Sequence, residues 1–213
     1  MKIAFLSDTH MAHRRIAVPA VDLLVHAGDI TRRGTREELD DFLEWLAVQP
    51  ATTKLFVAGN HDRICESQPS YVRARAAELG LVYLEDETVE IGGLVVHGSP
   101  ATPAFRSMAF NRERGADIRR AWERVPREVD LLVTHGPPKG LGDRTFFGVH
   151  VGCEELRARL VEVRPRLHVF GHIHEAFGEH RAEGHETRFL NVATRGLWPG
   201  SVRSPVVVEL ESR

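Results

Sequence analysis

Along this chain, runs of consecutive apolar residues alternate with stretches whose apolar positions recur at helical spacing. Lys2–Leu6, Val21–His26, Leu55–Ala58, Val129–Val133 and Leu167–Phe170 are mostly continuous apolar runs, which reads as strands buried on both faces. Thr35, with Glu38 three residues on, opens a helix whose buried stripe is Leu39, Phe42, Leu43 and Leu46. Ser70–Leu79, Ile118–Arg124 and Cys153–Val163 read as further helices, and Pro126 stops the second of these. Thr88–Ile91 and Leu94–His97 flank Gly92-Gly93, a hairpin signal. Arg188–Val192 and Val206–Leu210 close the chain as strands. Residues 99–115 and 136–150 lack a clear period, so the first is predicted as an ordered loop and the second as a Gly- and Pro-rich one. The Val-Asp-Leu-Leu-Val of 21–25 recurs at 129–133, but no short period follows, so this is not a repeat protein. Strands and helices alternate and no linker divides them, which predicts one α/β domain over residues 1–213.

Composition changes little in that picture. The 213 residues suffice for a core without staples, and 42% hydrophobic with 27% charged residues is ordinary for a soluble domain. A formal net charge of −2 provides no general attraction to nucleic acid or anionic membrane. Cys65 and Cys153 form no disulfide framework, and the first apolar run, closed by Asp8, is too short for a signal segment. Without any stretch of transmembrane length, the expected location is the cytoplasm. Arginine outnumbers lysine 25 to 3, which reads first as coding bias and second as selection for phosphate contact.

The chemistry sits where the predicted strands stop. Asp8-Thr9-His10, Gly28-Asp29, Gly59-Asn60-His61-Asp62, Thr134-His135-Gly136 and Gly171-His172-Ile173-His174 deliver carboxylates, imidazoles and one amide. Alternate residues of an extended chain share a side, so Asp8 with His10, and His172 with His174, can grip one ion. Open α/β sheets gather ligands at the carboxyl ends of their strands, where all five segments converge. Asp8, His10, Asp29, Asn60, His135, His172 and His174 are seven ligands. That is too many for one open site and right for two ions sharing a bridging carboxylate. Two ions roughly 3.5–4 Å apart share a water and lower its pKa from 15.7 toward about 7, and they neutralise phosphoryl oxygens. His61 follows a ligand but is not needed as one, which makes it the candidate acid for the leaving group, worth about 10²–10⁴-fold. Asp62 either orients His61 or caps an exposed turn.

This ordered set resembles the calcineurin-like metallophosphoesterase superfamily, whose pattern is D-x-H, G-D, G-N-H-[DE], H and G-H-x-H. The resemblance covers essentially the whole chain. It implies two packed sheets flanked by helices, an αββα sandwich with the dimetal site at strand C-terminal ends. It also implies that Asp8, His10, Asp29 and His174 hold one ion, and that Asp29 bridges to a second completed by Asn60, His135 and His172. His61 matches the histidine assigned to leaving-group protonation or transition-state stabilisation. Leu24–Thr31, Trp45, Gly98-Ser99-Pro100, Phe110-Asn111, His135-Gly136-Pro137-Pro138 and His168–Glu175 look like the small branch of metallophosphoesterase-domain-containing proteins. That branch implies a phosphodiesterase on cyclic nucleotides or small nucleotide diesters. Some of its members replace the residue at His172 and lose activity; this chain keeps it. The protein phosphatases of the superfamily carry G-D-x-V-D-R-G, whereas Arg32 stands here at the acidic position, against protein phosphatase activity. Manganese is the family expectation, and iron, zinc or cobalt suit the same ligands. A phosphomonoesterase, or a nucleotide- or metal-binding regulator with little turnover, are the alternatives. No nucleic-acid-binding module is apparent.

Other residues have plainer roles. His26, His168, His180 and His185 read as ordinary core or surface residues, while His97 and His150 are candidates to border the site. Cys153, near a helix start, reads as a small buried residue rather than a reactive thiolate. Arg32, Arg33, Arg63, Arg106, Arg112 and Arg144 lie in loops that ring the expected pocket, one or two of them as phosphate contacts. Trp45, Trp122 and Trp198 are core or interface. The loops 99–115 and 136–150 would set substrate choice.

Overall fold

The computed structural model describes residues 1–196, 198 and 200–211. Its strands are β1 (Lys2–Leu6), β2 (Val21–Ala27), β3 (Ala51–Val57), β4 (Val82–Leu84), β5 (Glu87–Ile91), β6 (Leu94–Ser99), β7 (Thr102–Pro103) and β8 (Asn111–Arg112). They continue with β9 (Leu131–Thr134), β10 (Leu167–Phe170), β11 (Gly178–His180), β12 (Arg188–Asn191) and β13 (Val206–Glu209). The helices are α1 (Arg36–Ala47), α2 (Arg63–Ser67), α3 (Pro69–Glu78), α4 (Ala116–Trp122) and α5 (Glu154–Val163).

Among the described residues two large sheets form, ordered β13-β1-β2-β3-β4 and β11-β12-β10-β9-β6-β5, beside the small β7-β8 pair. Strands β1 to β4 are mutually parallel, as are β6, β9, β10 and β12. The outer strands β13, β5 and β11 run antiparallel to their neighbours. Ile3, Phe5, Leu23, Val25, Leu55 and Val57 of the first sheet pack on Val96, Leu131, Val133, Val169 and Leu190 of the second. The other face of the first sheet is covered by Leu39, Phe42, Leu43 and Leu46 of α1 with Val72 and Ala76 of α3. Ile118, Trp122, Leu156 and Leu160 of α4 and α5 cover the second. Both sheets are therefore buried on both faces, which is why their parallel strands read as continuous apolar runs. The expected αββα sandwich is the observed architecture.

The departures from expectation are local. β3 starts four residues before Leu55, because its first half, Ala51–Lys54, is polar and partly exposed yet pairs with β2. The short α2, β4 and β11 carry too few residues for a periodic signal. The 99–115 segment is ordered as expected but contains the β7–β8 pair. Thr35 caps α1 by accepting the Glu38 amide, whereas the Glu38 carboxylate accepts the Arg32 and Arg33 amides at 2.9 and 2.7 Å instead of returning to Thr35. Trp45 and Trp122 are core residues; Trp198 is exposed. Among the described residues no helix is long and apolar enough to cross a membrane.

Candidate metal centre

The carboxyl ends of β1, β2, β3, β9 and β10 bring the expected residues together. Donor atoms of Asp8, His10 and His174 lie within 4.8 Å of one another, as do those of Asp29, His135 and His172. Asp29 also groups with His10 and His61, so its carboxylate stands between the two sets. His10 Nε2 is 3.6 Å from Asp29 Oδ2, His135 Nε2 is 3.4 Å from Asp29 Oδ1, and His174 Nε2 is 3.3 Å from Asp8 Oδ1. Two donors about 2.1 Å from one tetrahedral cation sit roughly 3.4 Å apart. The spacing suits donors around a shared ion, and at 3.3 Å the His174–Asp8 contact is also a long hydrogen bond. Asn60 places its Oδ1 2.9 Å from His135 Nε2, within the second set.

Three of the imidazoles are aimed by the backbone. His10 Nδ1 faces the Thr31 carbonyl at 3.2 Å, His61 Nδ1 that of Arg32 at 3.3 Å, and His135 Nδ1 that of Ala27 at 3.0 Å. A carbonyl only accepts, so each Nδ1 carries the hydrogen, and His10 and His135 present Nε2 to the carboxylates. All three carbonyls belong to the end of β2 or the loop carrying Asp29. Asp8, His10, Asp29 and His172 all take positive φ, of 53°, 41°, 56° and 69°. Non-glycine residues held in that region concentrate where surrounding structure over-determines them. Close approach demands glycine twice: a Cβ on Gly59 would strike Asp29, and one on Gly171 would strike Asp8 and Ser7.

The electrostatics favour ionised carboxylates. Burial opposes charge on Asp29, but His135 and His10 hold it below the usual carboxylate range. Burial likewise opposes charge on Asp8, which the hydrogen bond and charge of His174 outweigh. His135, despite burial, is raised to about 9 by Asp29. Burial, then the charge of His135, lowers His172 to about 4.

Asp62 is neither of the things expected of it. It is fully buried rather than an exposed cap, and the His61 ring bonds to the Arg32 carbonyl instead. Its carboxylate accepts the amides of Gly59, Ile30 and Thr31 and the Thr31 hydroxyl, at 2.7–3.2 Å. It thereby ties the Asp29 loop to the Asn60 loop, and burial with the nearby Asp29 pushes it up to about 6. Asn191, which the sequence did not single out, donates to Gly142, Gly171 and Ile173 carbonyls and fixes the loop after β10.

A cavity of about 540 Å³ opens over the donors, and His10, Asp29, Asn60, His61, His172 and His174 form its polar floor. Loop residues around Phe105 and Val151 wall it, as the two unpatterned segments led one to expect. Of the candidate arginines, only Arg106 lines it. Arg114, which the sequence did not flag, also does. His97 and His150 do not: His97 is buried against Thr88, and His150 pairs with Asp143 at 2.7 Å. Cys153 caps α5 by accepting the Leu156 amide, and burial raises its thiol to about 11. His26 and His168 are core residues bonded to Thr9 and Thr134.

A family model for calcineurin-like phosphoesterases matches residues 1–176. The human protein named metallophosphoesterase domain-containing protein 1 is 35% identical over 96% of this chain and 69% of its own length. UPF0046 protein K07C11.7 of Caenorhabditis elegans is 35% identical over 91% of this chain and 69% of its own length. A solved crystal structure shares the fold at a TM-score of 0.68 and 17% identity, covering 90% of both chains.

Proposed function

This chain belongs to the calcineurin-like phosphoesterase family, and we propose that it is a dinuclear phosphodiesterase acting on cyclic nucleotides or small nucleotide diesters. The observation that carries this reading is the Asp29 carboxylate, shared by two clusters of donors on the floor of one cavity. Asp8, His10, Asp29 and His174 would hold one ion, and Asp29, Asn60, His135 and His172 the other, with manganese as the expected metal. Bound there, the ions supply an activated water and neutralise charge on the phosphoryl group.

The remaining steps belong to the chain's own side chains. His61 lines the cavity, with Nδ1–H held by the Arg32 carbonyl, and its Nε2 is the atom proposed, in the imidazolium form, to give its proton to the leaving oxygen and so become neutral. The Asp29 carboxylate also accepts the His61 amide at 2.8 Å, so ligand and acid move as one unit. Pro137, Val151 and Ile173 give the wall an apolar stretch suited to the organic part of an ester. We further propose a cytoplasmic, single-domain enzyme, which the free, buried thiols of Cys65 and Cys153 support.

The test is hydrolysis of bis(p-nitrophenyl) phosphate beside p-nitrophenyl phosphate by manganese-reconstituted protein, with Asp29→Asn as control. Diester turnover that disappears in the variant supports the proposal. Monoester turnover alone makes the protein a phosphomonoesterase, and tight nucleotide binding without turnover makes it a regulator.

A further inference from the structure

Among the described residues two arginines line the cavity beyond its metal donors, and only one of these is free to meet a ligand. Arg114 is consumed: it donates to the Val151 and Gly152 carbonyls at 2.8 and 2.9 Å and pairs with Glu154. The guanidinium of Arg106 has no carboxylate or carbonyl partner among the described residues. Its contact is the Phe105 ring, 5.0 Å to the centroid. Glu175, a further carboxylate on the wall, accepts the Phe146 amide and makes no ion pair with Arg106.

The backbone presenting Arg106 is built rather than loose. Arg106 sits at φ 53°, in the left-handed region. Asn111 Nδ2 donates to the Arg106 carbonyl at 2.7 Å and to that of Phe105 at 3.4 Å. Arg63 holds the Ser107 carbonyl, and Glu66 accepts the Phe110 amide at 2.9 Å. Arg63 and Glu66 belong to α2, which begins directly after Asn60, His61 and Asp62. The segment that carries the donor and the candidate acid therefore also fixes the loop that carries the free cation.

We propose that Arg106 binds a second anionic group of the substrate, distinct from the reacting phosphoryl, with Phe105 beneath the organic part joining the two. The assignment rests on the phosphodiesterase reading above and narrows its substrates to esters bearing that extra charge. A guanidinium outside any internal ion pair keeps its full forked donor set for a phosphate or carboxylate.

The experiment compares adenosine 5′-monophosphate with adenosine 3′,5′-bisphosphate as inhibitors of bis(p-nitrophenyl) phosphate hydrolysis by manganese-loaded protein. In the unaltered protein the bisphosphate should inhibit at about tenfold lower concentration, the effect of one charge-assisted contact. In Arg106→Gln the two nucleotides should inhibit equally, each read against that variant's own rate on the chromogenic diester. Arg106→Lys should recover part of the preference. A preference that persists in Arg106→Gln, or one absent from the unaltered protein, overturns the assignment. If the chromogenic diester is not turned over at all, the phosphodiesterase reading fails instead. Calorimetric titration of the same two nucleotides into both metal-loaded proteins then decides the role of Arg106.

Discussion

The Nδ1 atom of His135 lies 3.0 Å from the carbonyl oxygen of Ala27, the last residue of β2. That bond turns Nε2 toward Asn60 and Asp29, so the strand that delivers the shared carboxylate also sets the angle of a donor from the other sheet. Asp29→Asn should therefore lose metal and activity together, since it removes the charge common to both donor sets. Metal content by elemental analysis should fall below two equivalents per chain. Two retained equivalents would contradict a shared ligand.

His61→Ala should keep both equivalents of metal and lose about 10²–10⁴-fold in kcat, the usual worth of a positioned acid. KM should change little if the imidazole acts mainly in the transition state. Near-normal turnover at full metal occupancy would remove His61 from the mechanism.

Asp62→Asn keeps the size of the side chain but replaces an acceptor oxygen with a donor facing buried amides. The amides of Gly59, Ile30 and Thr31 can no longer all be satisfied. A loss of about 1–3 kcal/mol is expected in urea unfolding. Metal affinity should fall about 10–100-fold, because the Asp29 and Asn60 loops are no longer tied. Full stability with weakened metal binding would show that the tie serves the site alone.

How much of this was legible in the sequence follows from where each interaction lies along the chain. Positive φ at Asp8, His10 and His172 breaks the extended alternation, and His172 and His174 join different donor sets. Even so, the donors form short words directly after apolar runs, Asp8 to His10 or His172 to His174, so a strand end and the ligand chemistry fall within a few residues. The residues that position them do not. Asp62 binds the amides of Ile30 and Thr31, Asn191 the carbonyls of Gly142 and Gly171, and Arg114 those of Val151 and Gly152. Backbone groups are the same in every residue, so such partners leave no sequence pattern, and only the fold brings them together. Asp62 is such a case: its tetrapeptide suggests His61 as partner or an exposed turn cap, whereas its carboxylate takes the amides of Ile30, Thr31 and Gly59. The polar first half of β3 was missed because pairing with β2, not an apolar run, makes it a strand.

Acid should weaken the fold through two buried imidazoles that are not among the donors. Burial, then the charge of Arg124, lowers His97 to about 4, and burial alone lowers His168 to about 3. Their unfolded value is near 6.5. Below that pH the unfolded chain takes up protons that the native one refuses, so their contribution is complete above about 6.5 and declines toward 4. The slope is about 1.4 kcal/mol per pH unit for each residue. Urea midpoints at pH 7.5 and 5.5 should differ in that sense, and His97→Gln should narrow the difference. An unchanged gap would assign the acid sensitivity to other groups.

Arg114 joins the two loops that wall the cavity. Its backbone follows β8, while its guanidinium grips the Val151 and Gly152 carbonyls and Glu154 at the start of α5. Nearby, the Gly115 amide donates to Glu155 at 2.7 Å, a second tie across the same seam. Arg114→Met keeps the length and apolar stem but releases both carbonyls. The donor clusters, reached through other strands, should stay intact, so metal content should not change. The loops should part, raising KM for a nucleotide diester several-fold more than it lowers kcat, since what is lost is binding rather than chemistry. Faster proteolysis within residues 144–150 should accompany that rise, because the loop keeps the Asp143 contacts to Gly140, Gly152 and His150 and the Phe146 amide bond to Glu175 but loses its tie to the 99–115 wall. A fall in kcat alone, with KM and proteolysis unchanged, would mean that Arg114 acts on the reacting centre instead of on the walls.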